Sequence, residues 1–137
     1  MKKVLIIGAN SYIGNSFIQY IHELDDKDFI IEIGPGVGTL TAKEWERYDF
    51  TGYDVILHLA GIAHRRETRE NAGEYYKVNK ELAVDIAQKA KTSHVGQFIF
   101  MSTAAVYGSK ASIITKDTFP CPDTHYGKSK LEAEQKI

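Results

Sequence analysis

Paired cysteines, a charge of one sign and long apolar runs are all missing from this chain, and each absence excludes a class of function. The single cysteine, Cys121, has no partner for an internal disulfide and supplies no thiolate cluster for a metal. Seventeen Lys and Arg stand against 18 Asp and Glu, a formal net charge of −1. Such a balance builds no field for nucleic acid or a membrane surface, and neither is expected as a partner. No apolar stretch approaches the roughly 18 residues that suggest a membrane span. The Lys2-Lys3 start leads into a run too short for the core of a secretory signal. Repeats and low-complexity tracts are absent as well. What is present, 137 residues at 43% hydrophobic and 26% charged, is the composition of one globular α/β domain with enough chain for one core. The cytoplasm is its expected compartment.

Apolar periodicity predicts alternating strands and helices. Residues 4–7 form a short continuous apolar run bounded by charge and glycine, as a strand buried on both faces would be. Ile13, Phe17, Ile18, Ile21 and Leu24 then recur at helical spacing as far as Asp25. Strands are expected at residues 29–33, 55–59 and 97–101, with a helix over residues 74–90 carried by Tyr75, Val78, Leu82, Ile86 and Ala90. The alternation predicts a doubly wound parallel sheet. Its ligand crevice belongs at the carboxyl ends of the strands, where the Gly8, Ala60 and Thr103 regions fall. Gly34, Pro35, Gly36, Val37 and Gly38 make a glycine-rich stretch without the Lys-Ser/Thr of a P-loop, and read as a turn.

Two segments carry candidate chemistry. Gly8 and Gly14 mark a strand-turn-helix join, which aims backbone N–H groups and a helix N-terminus at one point and suits a pyrophosphate; an ordinary βα turn uses glycine too, and the G-x-G-x-x-G fingerprint is not met. Near the other end, Tyr126 and Lys130 lie four apart in Tyr126-Gly127-Lys128-Ser129-Lys130, so on a helix both reach one site. A phenol titrates near 10 when unperturbed, and a neighbouring ammonium favours the phenolate, which suits acid–base work. The same spacing also occurs on ordinary solvated helix faces.

In order along the chain, four segments resemble the extended short-chain dehydrogenase/reductase family, in its nucleotide-sugar epimerase and dehydratase branch. The family's Gly-x-x-Gly-x-x-Gly loop stands here as Gly8 to Gly14, with Ser11 at the middle glycine. Its strand-end motif stands as His58-Leu59-Ala60-Gly61, and its Ser-Ser/Thr before Val-Tyr-Gly as Ser102-Thr103-Ala104-Ala105-Val106-Tyr107-Gly108. The Tyr-Gly-x-Ser-Lys-x-x-x-Glu helix runs from Tyr126 to Glu134. Together these span nearly the whole chain. The stretch from Gly34 to Tyr53 is short where relatives place a further helix and strand.

The resemblance implies a Rossmann fold, three layers αβα, and a nicotinamide dinucleotide held by Gly8, Asn10, Ser11, Tyr12, Ile13, Gly14, Glu32, Leu59, Ala60, Gly61, Tyr126 and Lys130. At Ser11, either the loop shifts slightly or the hydroxyl donates to a phosphate oxygen. Glu32 is the acid nearest the expected position, about 20 residues past the loop, for bonding the adenosine ribose; a solvent-facing place on a half-buried strand is the alternative. No Arg or Lys follows it before Lys43, so NAD is preferred and NADP remains possible. The implied mechanism has Tyr126 as general base or acid at a sugar hydroxyl, Thr103 hydrogen-bonded to the same oxygen with Ser102 its neighbour, and Lys130 binding the nicotinamide ribose. Thr103 reads equally as a β-branched strand residue. Asn79 matches a family Asn of structural role, or is a helix-surface residue. His64, Arg65 and Arg66 meet a substrate phosphate or are simply solvated.

The implied activity is an NAD(P)-dependent nucleotide-sugar epimerase or dehydratase, UDP-glucose 4-epimerase-like, on UDP- or dTDP-linked sugars in polysaccharide precursor synthesis. A nucleotide-sugar reductase, a non-catalytic dinucleotide sensor and a plain structural module are the alternatives. Because family members continue beyond the equivalent of Ile137, residues 1–137 are expected to be the cofactor-binding domain, ending within the catalytic helix, with the substrate-binding part absent and the fragment itself inactive. A homodimer is the expected full-length assembly.

Overall fold

The structure, a computed structural model, describes residues 1–24, 28–36, 44–63 and 65–137. Four parallel strands, β1 (Lys2–Ile7), β2 (Phe29–Ile33), β3 (Val55–His58) and β4 (Gln97–Phe100), form one sheet in the order β2-β1-β3-β4. The order reverses at β1, with β2 on one side and β3 on the other, which is the topological switch of a doubly wound Rossmann-type sheet. Register is set by apolar pairs: Val4 lies opposite Ile31 and Val55, and Leu57 opposite Ile99. Leu5, Ile6 and Ile7 are wholly buried, as a central strand of a parallel sheet requires.

Helix α1 (Tyr12–Glu23) follows β1. Phe17 and Ile18 pack on the cluster of Val4, Ile6, Ala9 and Leu57, whereas Ile13 and Leu24, the ends of the predicted stripe, are exposed. Asp25 and Lys43 lie outside the described residues. After β2 comes a 3₁₀ turn at Glu44–Arg47, and after β3 a helical run over residues 72–92, termed α2. Its middle, Tyr76–Leu82, is wound as π-helix between α-helical ends. A second 3₁₀ turn (Ala104–Tyr107) and helix α3 (His125–Glu134) complete the chain.

The chain divides into two compact units, residues 1–60 with 85–101 and residues 61–84 with 102–137. The first contains the whole sheet. At its β3 end the His58 ring is fully buried and stacks on Phe98 and Phe100, each 5.9 Å away. In the second, α3 packs on the π-wound segment of α2 and on the 104–107 turn.

Candidate functional site

In the first unit, β1 ends at Ile7 and the chain turns at Gly8, whose φ of 85° favours glycine. A Cβ at Gly8 would lie 2.5 Å from the Ala60 nitrogen, so the carboxyl ends of β1 and β3 abut directly. Leu59 N–H donates to the Ile7 carbonyl at 2.8 Å and secures the same junction. Gly8, Leu59 and Ala60 thus meet at the switch point. Asn10, Ser11, Tyr12 and Ile13 lead from it into α1.

Ser11 is the N-cap of α1. With φ −74° and ψ 162° it occupies a region open to any L residue, and its Oγ accepts from the Gly14 N–H at 3.0 Å. A serine therefore stands where the resemblance has glycine without backbone strain, and its hydroxyl keeps a proton to donate. The Tyr12 and Ile13 N–H groups, in the first turn, have no acceptor within the helix. Both residues are exposed, Tyr12 at 87%. An open helix start with free N–H groups and the positive end of the helix dipole fits a phosphate group.

Glu32 has other partners in the same unit. It lies opposite Leu5 in the sheet, pairs with Lys3 at 2.9 Å and accepts from the Tyr53 hydroxyl. These bonds hold its carboxyl below the ordinary range, the Tyr53 hydrogen bond contributing most. Between Glu32 and Lys43 the sequence carries no Arg or Lys. The β1–β2 pairing brings Lys3 to Glu32 from the amino terminus, and Glu32 itself is half-exposed on β2.

The second unit gathers the remaining candidates. Thr124 caps α3 by accepting from the Gly127 N–H at 3.0 Å, so Tyr126 sits in the first turn with Lys130 one turn on. Gly127 backs onto the 104–107 turn so closely that a Cβ would lie 2.4 Å from the Ala105 carbonyl oxygen. That contact joins the Tyr126 turn to the segment beginning at Thr103, whose Oγ1 accepts from the Ala105 N–H at 3.2 Å. Ser102 donates to Glu134 of α3. Tyr126 and Thr103 are both half-buried, accessible without being solvated on all sides.

Lys130 is buried, at 4% exposure. A Cβ at Gly61 would lie 3.7 Å from its Nζ and 3.0 Å from Asn79 Oδ1, which brings Gly61, Asn79 and Lys130 into one group. Asn79 is wholly buried: Oδ1 accepts from the Ile62 N–H at 2.7 Å, and Nδ2 donates to the Ile62 carbonyl at 2.9 Å and to Ser129 Oγ at 3.3 Å. Ser129 in turn donates to the Tyr126 carbonyl at 2.9 Å. The π winding of α2 accompanies this arrangement, since Tyr76, Asn79 and Lys80, all within it, engage His125, Ser129 and Glu132 of α3. Arg65 pairs with Glu74 at the surface, and His64 lies outside the described residues.

Burial lowers the Lys130 pKa to about 8, against a smaller upward pull from Glu134. Between about pH 8 and the ordinary 10.5, the unfolded chain carries a proton at Lys130 that the folded chain has released. Stability contributed at this position therefore rises with pH across that window. Lys130→Met, which removes the buried ammonium, is expected to melt above the parent below pH 8, with the difference shrinking as pH climbs toward 10.5. A difference that stays flat across the window contradicts the burial argument.

A model of the NAD dependent epimerase/dehydratase family matches residues 4–137. The chain belongs to this family. An uncharacterized UDP-glucose epimerase of Bacillus subtilis (strain 168) is 28% identical over 97% of this chain and 50% of its own length. The UDP-glucuronic acid 4-epimerase of Bacillus cereus, solved in complex with NAD, superposes with a TM-score of 0.75 at 25% identity, covering 97% of this chain and 50% of that one. The UDP-Glc/GlcNAc 4-epimerase of Campylobacter jejuni shares the fold, with a TM-score of 0.76 at 23% identity over 98% of this chain and 47% of that one. The chain spans about half the length of the curated relatives it matches.

Within this epimerase/dehydratase family member, sequence reasoning missed the Ser129 link between Asn79 and Tyr126. Its place inside the Tyr126–Lys130 pentapeptide was the available signal. Glu67, which accepts from the first two N–H groups of α3, was missed as well. No local pattern marks a contact that spans 58 residues.

Proposed function

We propose that this chain works as the cofactor-binding part of an NAD(P)-dependent nucleotide-sugar epimerase or dehydratase, UDP-glucose 4-epimerase-like, supplying sugars for polysaccharide synthesis. The observation that carries the reading is the second unit's constellation: a half-buried Tyr126 one helical turn from a buried Lys130, with Thr103 on the adjoining segment. UDP-glucose 4-epimerases among its relatives favour that substrate class. The open start of α1 and the abutting Gly8 and Ala60 fit a dinucleotide pyrophosphate by the geometry of their donors.

NAD, when bound, accepts a hydride from a sugar carbon and returns it. Tyr126 takes the proton from the hydroxyl on that carbon, and gives it back in the reverse step. Thr103, its Oγ1 occupied as acceptor by the Ala105 N–H, has its own proton to donate to the same oxygen. Lys130 holds the nicotinamide ribose and favours the Tyr126 phenolate while it remains charged, which its pKa of about 8 permits at neutral pH. The Tyr12 and Ile13 N–H groups and the Ser11 hydroxyl bind phosphate. Glu32 retains lone pairs beyond those given to Lys3 and Tyr53, and these serve the adenosine ribose, disfavouring the 2′-phosphate of NADP by charge.

The test is interconversion of UDP-glucose and UDP-galactose by a polypeptide of the relatives' full length that carries this sequence, loaded with NAD. Interconversion supports the reading. A folded, NAD-loaded protein that transforms neither this pair nor a dTDP-linked sugar refutes it.

A further inference from the structure

The starts of α1 and α3 are finished differently. At α1 the Tyr12 and Ile13 N–H groups are left open. At α3 the first three N–H groups are all taken: Thr124 Oγ1 accepts from Gly127, while Glu67 Oε2 accepts from His125 at 2.8 Å and Glu67 Oε1 from Tyr126 at 2.9 Å. One carboxylate thus clasps the backbone of Tyr126 and of its predecessor, with one oxygen on each.

Glu67 is itself held firmly. Its neighbours form a closed turn in which the Thr68 N–H donates to Asn71 Oδ1 at 2.8 Å and Asn71 Nδ2 donates to the Arg66 carbonyl at 2.9 Å. One residue further back, the Arg65 carbonyl accepts from the buried Tyr75 hydroxyl at 3.0 Å. The loop is therefore tied to α2 on one side and, through Glu67, to α3 on the other.

We propose that Glu67 is a positioning residue for Tyr126. The helix has its cap in Thr124, so the clasp is not needed merely to start α3. It sets where the first turn sits and how far it is rotated about its axis, and both quantities determine where the phenol points. Misplacement of a reacting group by about 1 Å can cost on the order of 100-fold in rate. The chemistry demands a carboxylate: two oxygens face two N–H donors, whereas a glutamine presents one oxygen and one NH₂, and the NH₂ opposes a donor.

This inference rests on Tyr126 being the acid/base group. Its test compares Glu67→Gln, Glu67→Asp, Thr124→Ala and Tyr126→Phe in the full-length, NAD-loaded enzyme, with kcat, the KM for UDP-glucose and the melting temperature measured for each. Glu67→Gln is expected to lower kcat about 10- to 100-fold with KM changed less than about 3-fold. Glu67→Asp, which keeps both oxygens on a shorter arm, recovers part of that loss. Thr124→Ala, which weakens the cap alone, lowers the melting temperature and costs kcat less than about 3-fold. Wild-type kcat in a folded Glu67→Gln, or an equal kcat loss in Thr124→Ala, overturns the clasp as a positioning device and leaves α3 capping as its role. Should Glu67→Gln fail to fold, Glu67→Asp carries the comparison, and wild-type kcat there overturns the proposal. Full turnover in Tyr126→Phe overturns the acid/base reading together with the clasp, whereas an inactive Tyr126→Phe beside a fully active Glu67→Gln overturns the clasp alone.

Discussion

Tyr126→Phe is expected to lower kcat by about 10²- to 10⁴-fold while NAD affinity stays within a few-fold of the parent, the range attributed to one positioned acid–base group. The two effects separate because the phenol oxygen is the only atom removed. The supports of the first turn, Thr124 Oγ1 on Gly127 and Glu67 on the His125 and Tyr126 N–H groups, are bonds to backbone and survive the change. Ser129 likewise holds the Tyr126 carbonyl rather than its side chain. Phe keeps the ring that half-buries there, so stability is expected to change by less than about 1 kcal/mol. Steady-state kinetics beside a dinucleotide titration checks both parts. A loss of kcat matched by an equal loss of NAD affinity assigns Tyr126 to binding instead of proton transfer.

The largest expected effect on the fold comes from Gly8→Ala. At φ 85° an alanine enters a backbone region that costs it roughly 1–2 kcal/mol. Its methyl would also fall 2.5 Å from the Ala60 nitrogen and 2.7 Å from the Ala60 Cα. Those atoms are backbone at the end of β3 and cannot swing aside as a side chain would. Relief requires β1 and β3 to separate at the junction that the Leu59–Ile7 hydrogen bond holds. Destabilisation of at least about 3 kcal/mol is expected, a large share of an ordinary domain's stability, with dinucleotide affinity lost in whatever remains folded. Chemical denaturation of parent and variant measures it. A variant within about 1 kcal/mol of the parent shows that the β1–β3 junction yields.

The fold was legible because its strands are short apolar runs between polar boundaries. Residues 29–33 were read in full, and the predicted runs at residues 4–7, 55–59 and 97–101 differ from the observed strands by one or two residues at an end. Tyr75, Val78, Leu82, Ile86 and Ala90, read as one helical face, are all buried, since helical periodicity survives even where the winding changes. The π segment itself left no trace in that spacing, and the contacts of its Tyr76, Asn79 and Lys80 with α3 form only in the folded chain. Asn79 was read as family scaffold or surface. Wholly buried with its amide on Ile62 and Ser129, it has the environment of a scaffold residue.

What the sequence hid is long-range and polar. Lys3 reaches Glu32 only through the pairing of β1 with β2, and Glu67 reaches α3 only once the loop after β3 has folded back. Ser11 looked like a departure from a glycine loop and is a helix cap, a role to which serine is suited. The Tyr126 and Lys130 spacing, by contrast, was visible at once. Its company of Asn79, Ser129 and Gly61 emerged only from packing.

Calorimetric titration of the folded chain with NAD, then NADP, tests most directly the proposed binding of a nicotinamide dinucleotide through residues Gly8 to Gly14. Saturable heat with NAD, weaker with NADP and absent in a folded variant whose loop is disrupted at Gly14, is the predicted result. No saturable heat with either dinucleotide, from a chain shown to be folded, contradicts it.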